Sequence, residues 1–249
     1  MRVTFIRSFE GIPFALPPTG SEGRWKAPRY LSNFEELEKD NFQHRASCWQ
    51  FDKREAKNTE DCLVLDITRP IISSDERLPV AIYIYGGSFT GGNGHDTMYN
   101  MTQYALAGFL NWCLKSVCSG RWLAELASFG KPFSEGVIGV TINYRVGIFG
   151  FLNFFDEENG YTEGGNYGLL DQQMAIRFIH ENCDFIGCDP DRITIFGESA
   201  GGSSVHYQIM SEESSTYLSG AILQSGWFSD SFTDWLRPPS YQNQIENSS

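Results

Sequence analysis

The stretch Asp191-Arg-Ile-Thr-Ile-Phe-Gly-Glu-Ser-Ala-Gly-Gly202 constrains this chain more than any other. Its first half is β-branched and apolar and reads as a strand. Its second half, Gly197-Glu198-Ser199-Ala200-Gly201, is Gly-x-Ser-x-Gly, the pattern of a serine on a sharp strand-to-helix turn. In such a turn the backbone is strained and the hydroxyl is exposed, and side chains at the flanking positions would collide with neighbouring backbone. Residues 199–210 are the expected helix, its free N–H groups aimed at developing negative charge. The bland alternative for Ser199 is an ordinary helix N-cap. The strand before it favours the nucleophile.

An acyl-transfer serine needs backbone N–H groups about 3 Å from where the oxyanion forms. Ala200, the next residue, supplies one. The loop Gly86-Gly87-Ser88, which ends the strand expected over residues 78–85 (LPVAIYIY), suits the others, because only its N–H groups would act. Alone it would be a plain glycine turn. Further strands are expected at 63–68, 137–144 and 221–223. A helix is expected over 169–185, with Leu170, Met174 and Phe178 in an i, i+4 ladder and Ala175 and Ile179 beside it. The first thirty residues are rich in Pro and Gly and read as short strands and turns, followed by a short acidic segment at 32–39. Strands alternating with helices predict an α/β fold with a mixed, mainly parallel sheet flanked by helices.

Residues 109–136 look unlike their surroundings. Leu110, Leu114, Cys118, Trp122 and Leu126 would share one helical face, which Gly120 weakens. The segment reads as an atypical insertion packed on the surface, with a lid or partner helix as the functional alternative.

At 249 residues the chain is long enough for one large domain or two small ones. Its 41% hydrophobic and 20% charged residues exclude a disordered chain. A net charge of −12 argues against nucleic acid as a partner. No run of about 18 apolar residues is present, so no transmembrane segment is expected. Residues 1–14 hold no apolar run, so no signal peptide is expected in this chain. Of the six cysteines, Cys48, Cys62, Cys113, Cys118, Cys183 and Cys188, no two have C-x-x-C spacing, and no Cys/His cluster has zinc-site spacing. No metal and no cofactor are expected, and spacing leaves the disulfide pairing open. Sequons occur at Asn100 and Asn247.

Several stretches together resemble the type-B carboxylesterase and cholinesterase family of α/β-hydrolases. They are Gly11-Ile-Pro-Phe-Ala, Glu60-Asp-Cys-Leu, Tyr85-Gly-Gly-Ser-Phe89, Asn143-Tyr-Arg-Val-Gly, Gly165-Asn-Tyr-Gly-Leu-Leu-Asp-Gln172, Asp189-Pro-Asp-Arg, Gly197-Glu-Ser-Ala-Gly-Gly202 and Gln224-Ser-Gly226. They occur in the family's order and span nearly the whole chain except 109–136. The Tyr-Gly-Gly loop followed by Asn93-Gly94-His95 is similar to the bile-salt-activated lipase branch.

The resemblance implies a carboxylic-ester hydrolase acting on a small-molecule or lipid ester, in a secreted or extracellular setting. It implies Ser199 as nucleophile, with Gly87, Ser88 and Ala200 as oxyanion donors and Glu198 lining the site. Ser88 stands where the family has glycine or alanine, a change harmless to a backbone donor. The resemblance further implies a Cys48–Cys62 disulfide and structural ion pairs of Arg24 with Glu60 and Arg145 with Asp171.

The general base is not evident. The family's order is Ser, then Asp or Glu, then His. After Ser199 the only histidine is His206, two turns along the same helix and expected to point away; His44, His95 and His180 precede the nucleophile. The resemblance therefore implies that residues 1–249 are the N-terminal part of a single domain, with little turnover and poor folding when alone. The competing reading is a non-catalytic binding or adhesion protein of the same lineage, or an inactive truncation product.

Overall fold

The structure, a computed structural model, describes residues 6–31, 46–51, 58–71, 77–99, 101, 136–153 and 165–226. The expected insertion at 109–136, apart from Gly136, lies outside these residues, as do Cys113, Cys118, Asn100, Asn247, His44 and the acidic segment 32–39.

A six-stranded sheet organises the fold, with strands in the order β1-β4-β6-β5-β7-β8. These are β1 (Ile6–Pro13), β4 (Val64–Pro70), β6 (Ile138–Ile142), β5 (Leu78–Ile84), β7 (Cys188–Glu198) and β8 (Gly220–Gln224). Two short strands, β2 (Ser47–Cys48) and β3 (Asn58–Thr59), pair separately. The sheet is mixed. β1 and β4 run antiparallel to their neighbours, whereas β6, β5, β7 and β8 are parallel. The parallel strands β5 and β6 are apolar on both faces, and Ile82, Ile84, Ile138, Val140 and Ile142 are fully buried. Such continuous apolar runs suit parallel strands covered on both sides. β8 is half-exposed and is the last strand of the sheet among the described residues.

The helices are α1 (Gly20–Gly23), α2 (Gly147–Phe151), α3 (Tyr167–Glu181), α4 (Cys183–Ile186), α5 (Ala200–Met210) and α6 (Glu212–Ser215). Two expectations for α3 need correction. It stops at Glu181 instead of running to 185. There the Asn182 N–H and its side-chain amide both bond the Phe178 carbonyl, at 3.2 and 2.7 Å, and end the ladder. One turn, α4, follows and closes at Gly187, whose φ of 78° is left-handed. A disulfide between Cys183 and Cys188 spans that turn.

The buried face of α3 is also not the Leu170–Met174–Phe178 ladder, since Leu170 and Met174 are only half-buried. It is centred on Tyr167, Asp171, Ala175, Phe178 and Ile179. The helix turns Asp171 inward because Arg145 waits there. Arg145 reaches Asp171 through Nε and Nη2, each at 2.8 Å, and through its backbone N–H at 2.9 Å. The two side chains are 3% and 0% exposed. Arg24 meets Glu60 in a more open position, 40% and 20% exposed.

Candidate active site

β5 and β7 lie side by side in parallel, with Ile84 opposite Gly197. Both chains therefore leave the sheet at the same edge, and the loops that follow must meet. Ser199 is the joint between β7 and α5. Its φ of 56° and ψ of −122° lie outside the regions that L-residues favour, a strain typical of functional turns. The neighbours leave no room for side chains. A Cβ on Gly201 would sit 2.1 Å from the Ile84 carbonyl oxygen, and one on Gly197 would sit 2.5 Å from the Gly201 backbone. The Ser199 N–H bonds the Gln224 carbonyl of β8 at 2.9 Å, which ties the turn to the sheet.

The loop after β5 packs against this turn. A Cβ on Gly86 would lie 2.5 Å from the Glu198 carbonyl oxygen and 3.2 Å from the Ser199 Cβ. Gly87, Ser88 and Phe89 then take three consecutive positive φ values, 118°, 54° and 58°. For Ser88 this conformation costs about 1 kcal/mol relative to glycine, so the serine is not wholly neutral there. Successive left-handed residues turn their N–H groups outward as a concave anion site. Among the described residues, the N–H groups of Gly87, Ser88 and Ala200 donate to no protein acceptor. Gly87 and Ser88 are exposed, Ser199 is half-buried, and the Glu198 side chain is exposed beside it.

Residues far from it in sequence hold this loop, and one of them, Gln50, belongs to no motif. Gln50 clamps it as a peptide mimic. Its Oε1 accepts from the Gly92 N–H at 2.7 Å, and its Nε2 donates to the Gly92 carbonyl at 2.9 Å. Gln50 is itself placed by the Cys48–Cys62 disulfide, whose Cα atoms are 5.0 Å apart, two residues away. The Gly147 N–H at the start of α2 bonds the Phe89 carbonyl at 2.7 Å. Behind the loop, Tyr85 and Tyr144 stack at 4.3 Å and exchange hydrogen bonds, each phenol donating to the other's carbonyl at 2.8–2.9 Å. Burial pushes the Tyr144 phenol well above its usual range, so it remains a donor. Tyr99, against Tyr83 at 4.6 Å, is also raised, first by burial and then by the nearby Asp96 and Glu198 carboxylates.

His95 forms a carboxylate–imidazole pair with Asp66, Nδ1 to Oδ2 at 2.9 Å. The pair has the look of a general base, but its other nitrogen is occupied. Asn143 Nδ2 lies 3.2 Å from Nε2. The same amide nitrogen also faces the Ala46 and Cys62 carbonyls at 2.8 and 3.2 Å, which ties His95 into a buried polar cluster. Asn143 Oδ1 meanwhile accepts from the Gly94 N–H at 2.8 Å. The trio is a structural hub joining β4, the end of β6 and the 93–95 loop. His180 lies against Tyr217, with ring centres 4.8 Å apart and planes tilted by 44°. The site thus brings together Ser199, Glu198, Gly87, Ser88 and Ala200, while His95 and His180 are engaged elsewhere. No cluster suited to a metal ion occurs among the described residues.

The profile of the carboxylesterase family matches residues 2–243. Juvenile hormone esterase of Tribolium castaneum is 35% identical over 240 residues, covering 93% of this chain and 34% of that protein. Acetylcholinesterase of Electrophorus electricus is 35% identical, covering 89% of this chain and 32% of that protein. Human bile salt-activated lipase is 39% identical over 222 residues, covering 88% and 26%. Among solved structures, a PNB esterase superposes with a TM-score of 0.69 at 31% identity, covering 89% of this chain and 40% of that one. The chain thus spans about a third of the length of these curated relatives. Motif order, sheet topology and these likenesses agree: the chain belongs to the carboxylesterase family.

Proposed function

We propose that this chain carries the nucleophile and the oxyanion hole of a serine carboxylic-ester hydrolase, with residues 1–249 forming part of a single domain. The observation that carries the reading is the strained Ser199 turn lying against a left-handed loop, where the N–H groups of Gly87 and Ser88 have no acceptor among the described residues. Ser199 Oγ attacks the ester carbonyl and loses its proton to a base. The carbonyl oxygen becomes an oxyanion held by the N–H groups of Gly87, Ser88 and Ala200. Collapse breaks the ester C–O bond, and the alcohol leaves with a proton. Water then cleaves the acyl-serine, returning the carboxylic acid and free Ser199. Glu198 lines the site. His95 and His180 are committed to other contacts and do not supply the base. The substrate is a small-molecule or lipid ester. Two disulfides among the described residues favour an oxidising, extracellular setting.

The test is covalent labelling of the purified chain by a fluorophosphonate, with and without added imidazole as a surrogate base. The expected result is a mass increment on the peptide bearing Ser199, faster with imidazole and absent in Ser199→Ala. No labelling under either condition, or labelling at another residue, overturns the reading and favours a non-catalytic binding protein.

A further inference from the structure

Behind the elbow lies a line of buried polar side chains that the acyl-transfer steps do not use. Gln172 on α3, Ser204 and Gln208 on α5, and Ser214 on α6 are 0%, 0%, 3% and 0% exposed. Buried polar groups must find partners, and here they find one another. Ser214 Oγ lies 2.6 Å from Gln208 Oε1, and Gln208 Nε2 lies 3.1 Å from Gln172 Oε1. Gln172 Nε2 lies 3.0 Å from Ser204 Oγ, and Ser204 Oγ lies 2.9 Å from the Ala200 carbonyl.

The direction of this line is forced. Gln208 also faces the Leu169 carbonyl at 2.9 Å, which can only accept, so the Gln208 nitrogen must point there. The same nitrogen faces Gln172, which must present its oxygen. The Gln172 nitrogen then faces Ser204, whose oxygen must accept. The single Ser204 hydrogen is left for the Ala200 carbonyl. Every bond donates the same way, from Ser214 to Gln208 to Gln172 to Ser204 to Ala200. Bonds aligned in one direction polarise each other, and in a low-dielectric interior that effect is strengthened.

We propose that Gln172 and Ser204 are positioning residues for the oxyanion hole. The line ends on the residue whose N–H is an oxyanion donor. It holds the Ala200 carbonyl, and through it the backbone angles of Ala200, from α3 across the α3–α5 interface. The proposal rests on the ester-hydrolase reading of Ser199 and assigns that site two residues which never touch substrate.

The test reads the carbonyl-carbon and amide NMR signals of Ala200, in protein labelled at alanine carbonyl carbons and alanine nitrogens, alongside the rate of phosphonate labelling at Ser199. Ser204→Ala should move both Ala200 signals. Gln172→Glu should do the same although Gln172 does not touch Ala200, because the carboxylate draws the Ser204 hydrogen away from it. Both variants should slow labelling about tenfold at saturating probe with half-saturation unchanged, less than the full loss of an oxyanion donor. Ser204→Thr, which keeps the hydroxyl, should restore both readouts. Should Ser204→Ala fail to fold, Gln172→Glu and Ser204→Thr still decide the matter. Ala200 signals unmoved by Gln172→Glu would overturn the relay even if Ser199 labels normally. Shifted signals with an inert wild-type Ser199 would instead overturn the ester-hydrolase reading, and the catalytic purpose of the relay with it.

Discussion

Asp171 and Glu60 each receive a guanidinium through two hydrogen bonds, but only the Asp171 pair is sealed from water. Arg145 and Asp171 are 3% and 0% exposed, whereas Arg24 and Glu60 are 40% and 20% exposed. Arg145 is satisfied on every side. It also donates to the Gly23 carbonyl at 3.2 Å and the Lys26 carbonyl at 2.8 Å, and its guanidinium lies 5.4 Å from the centre of the Tyr167 ring. Arg24 rests its guanidinium near Trp25 and Phe149, 5.7 and 5.9 Å from the ring centres. The same two chemical groups thus play unequal parts. The sealed pair organises three segments, and its rupture strands a charge. The open pair adds a modest electrostatic attraction to a packing contact.

The largest effect should come from breaking the sealed pair on one side. Asp171→Ala should cost about 3–5 kcal/mol, the penalty of an uncompensated buried charge, read as a lower denaturant midpoint or as outright failure to fold. A loss as small as that of an exposed pair would erase the contrast. Next, Glu60→Ala should cost about 1 kcal/mol or less, measured the same way. A third measurement sharpens the distinction. In double-mutant cycles, raising ionic strength should shrink the Arg24–Glu60 coupling and leave the Arg145–Asp171 coupling nearly constant, because salt screens exposed charges far more than buried ones.

The smallest effect belongs to a pair more exposed still. Arg192 bonds Asp189 at 2.6 Å, and that hydrogen bond is the main reason the carboxyl sits below its ordinary value. A carboxyl depressed in the folded state stabilises the protein above the unfolded value of about 3.9. That contribution fades as pH falls through the folded value. Asp189→Asn should therefore be slightly less stable than wild type near neutrality and match it in strong acid. Equal stability of the two at every pH would show that the contact contributes nothing.

The elbow was legible because its chemistry is local. Strand, glycines and serine are consecutive, so residues 191–202 declare their own geometry. The strand cores were legible for the same reason, since Ile, Val and Leu in sequence need only a sheet to cover them. The face of α3 was not. Hydrophobic periodicity scores Asp171 and Gln172 as outward, yet both are fully buried, because their partners Arg145 and Ser204 lie 26 and 32 residues away. Likewise β7 starts at Cys188, three residues before the strand expected from Asp191, because Leu78 pairs with it across a register shift. Gln50 and Asn143 act through side-chain bonds to backbone 42 and 97 residues distant. No spacing rule encodes contacts of that range.

The two disulfides differ in how they would be chosen while the chain folds. Six thiols can be joined in fifteen ways, and four in only three. Cys183 and Cys188 are five residues apart in sequence, against 14 for Cys48 and Cys62. In an unfolded chain, nearness along the sequence alone favours the short loop. Its closure reduces the combinatorial problem fivefold before any tertiary structure exists; Cys113 and Cys118 are as close in sequence, so the same preference applied to them leaves Cys48 and Cys62, beside the oxyanion loop, as the last pair.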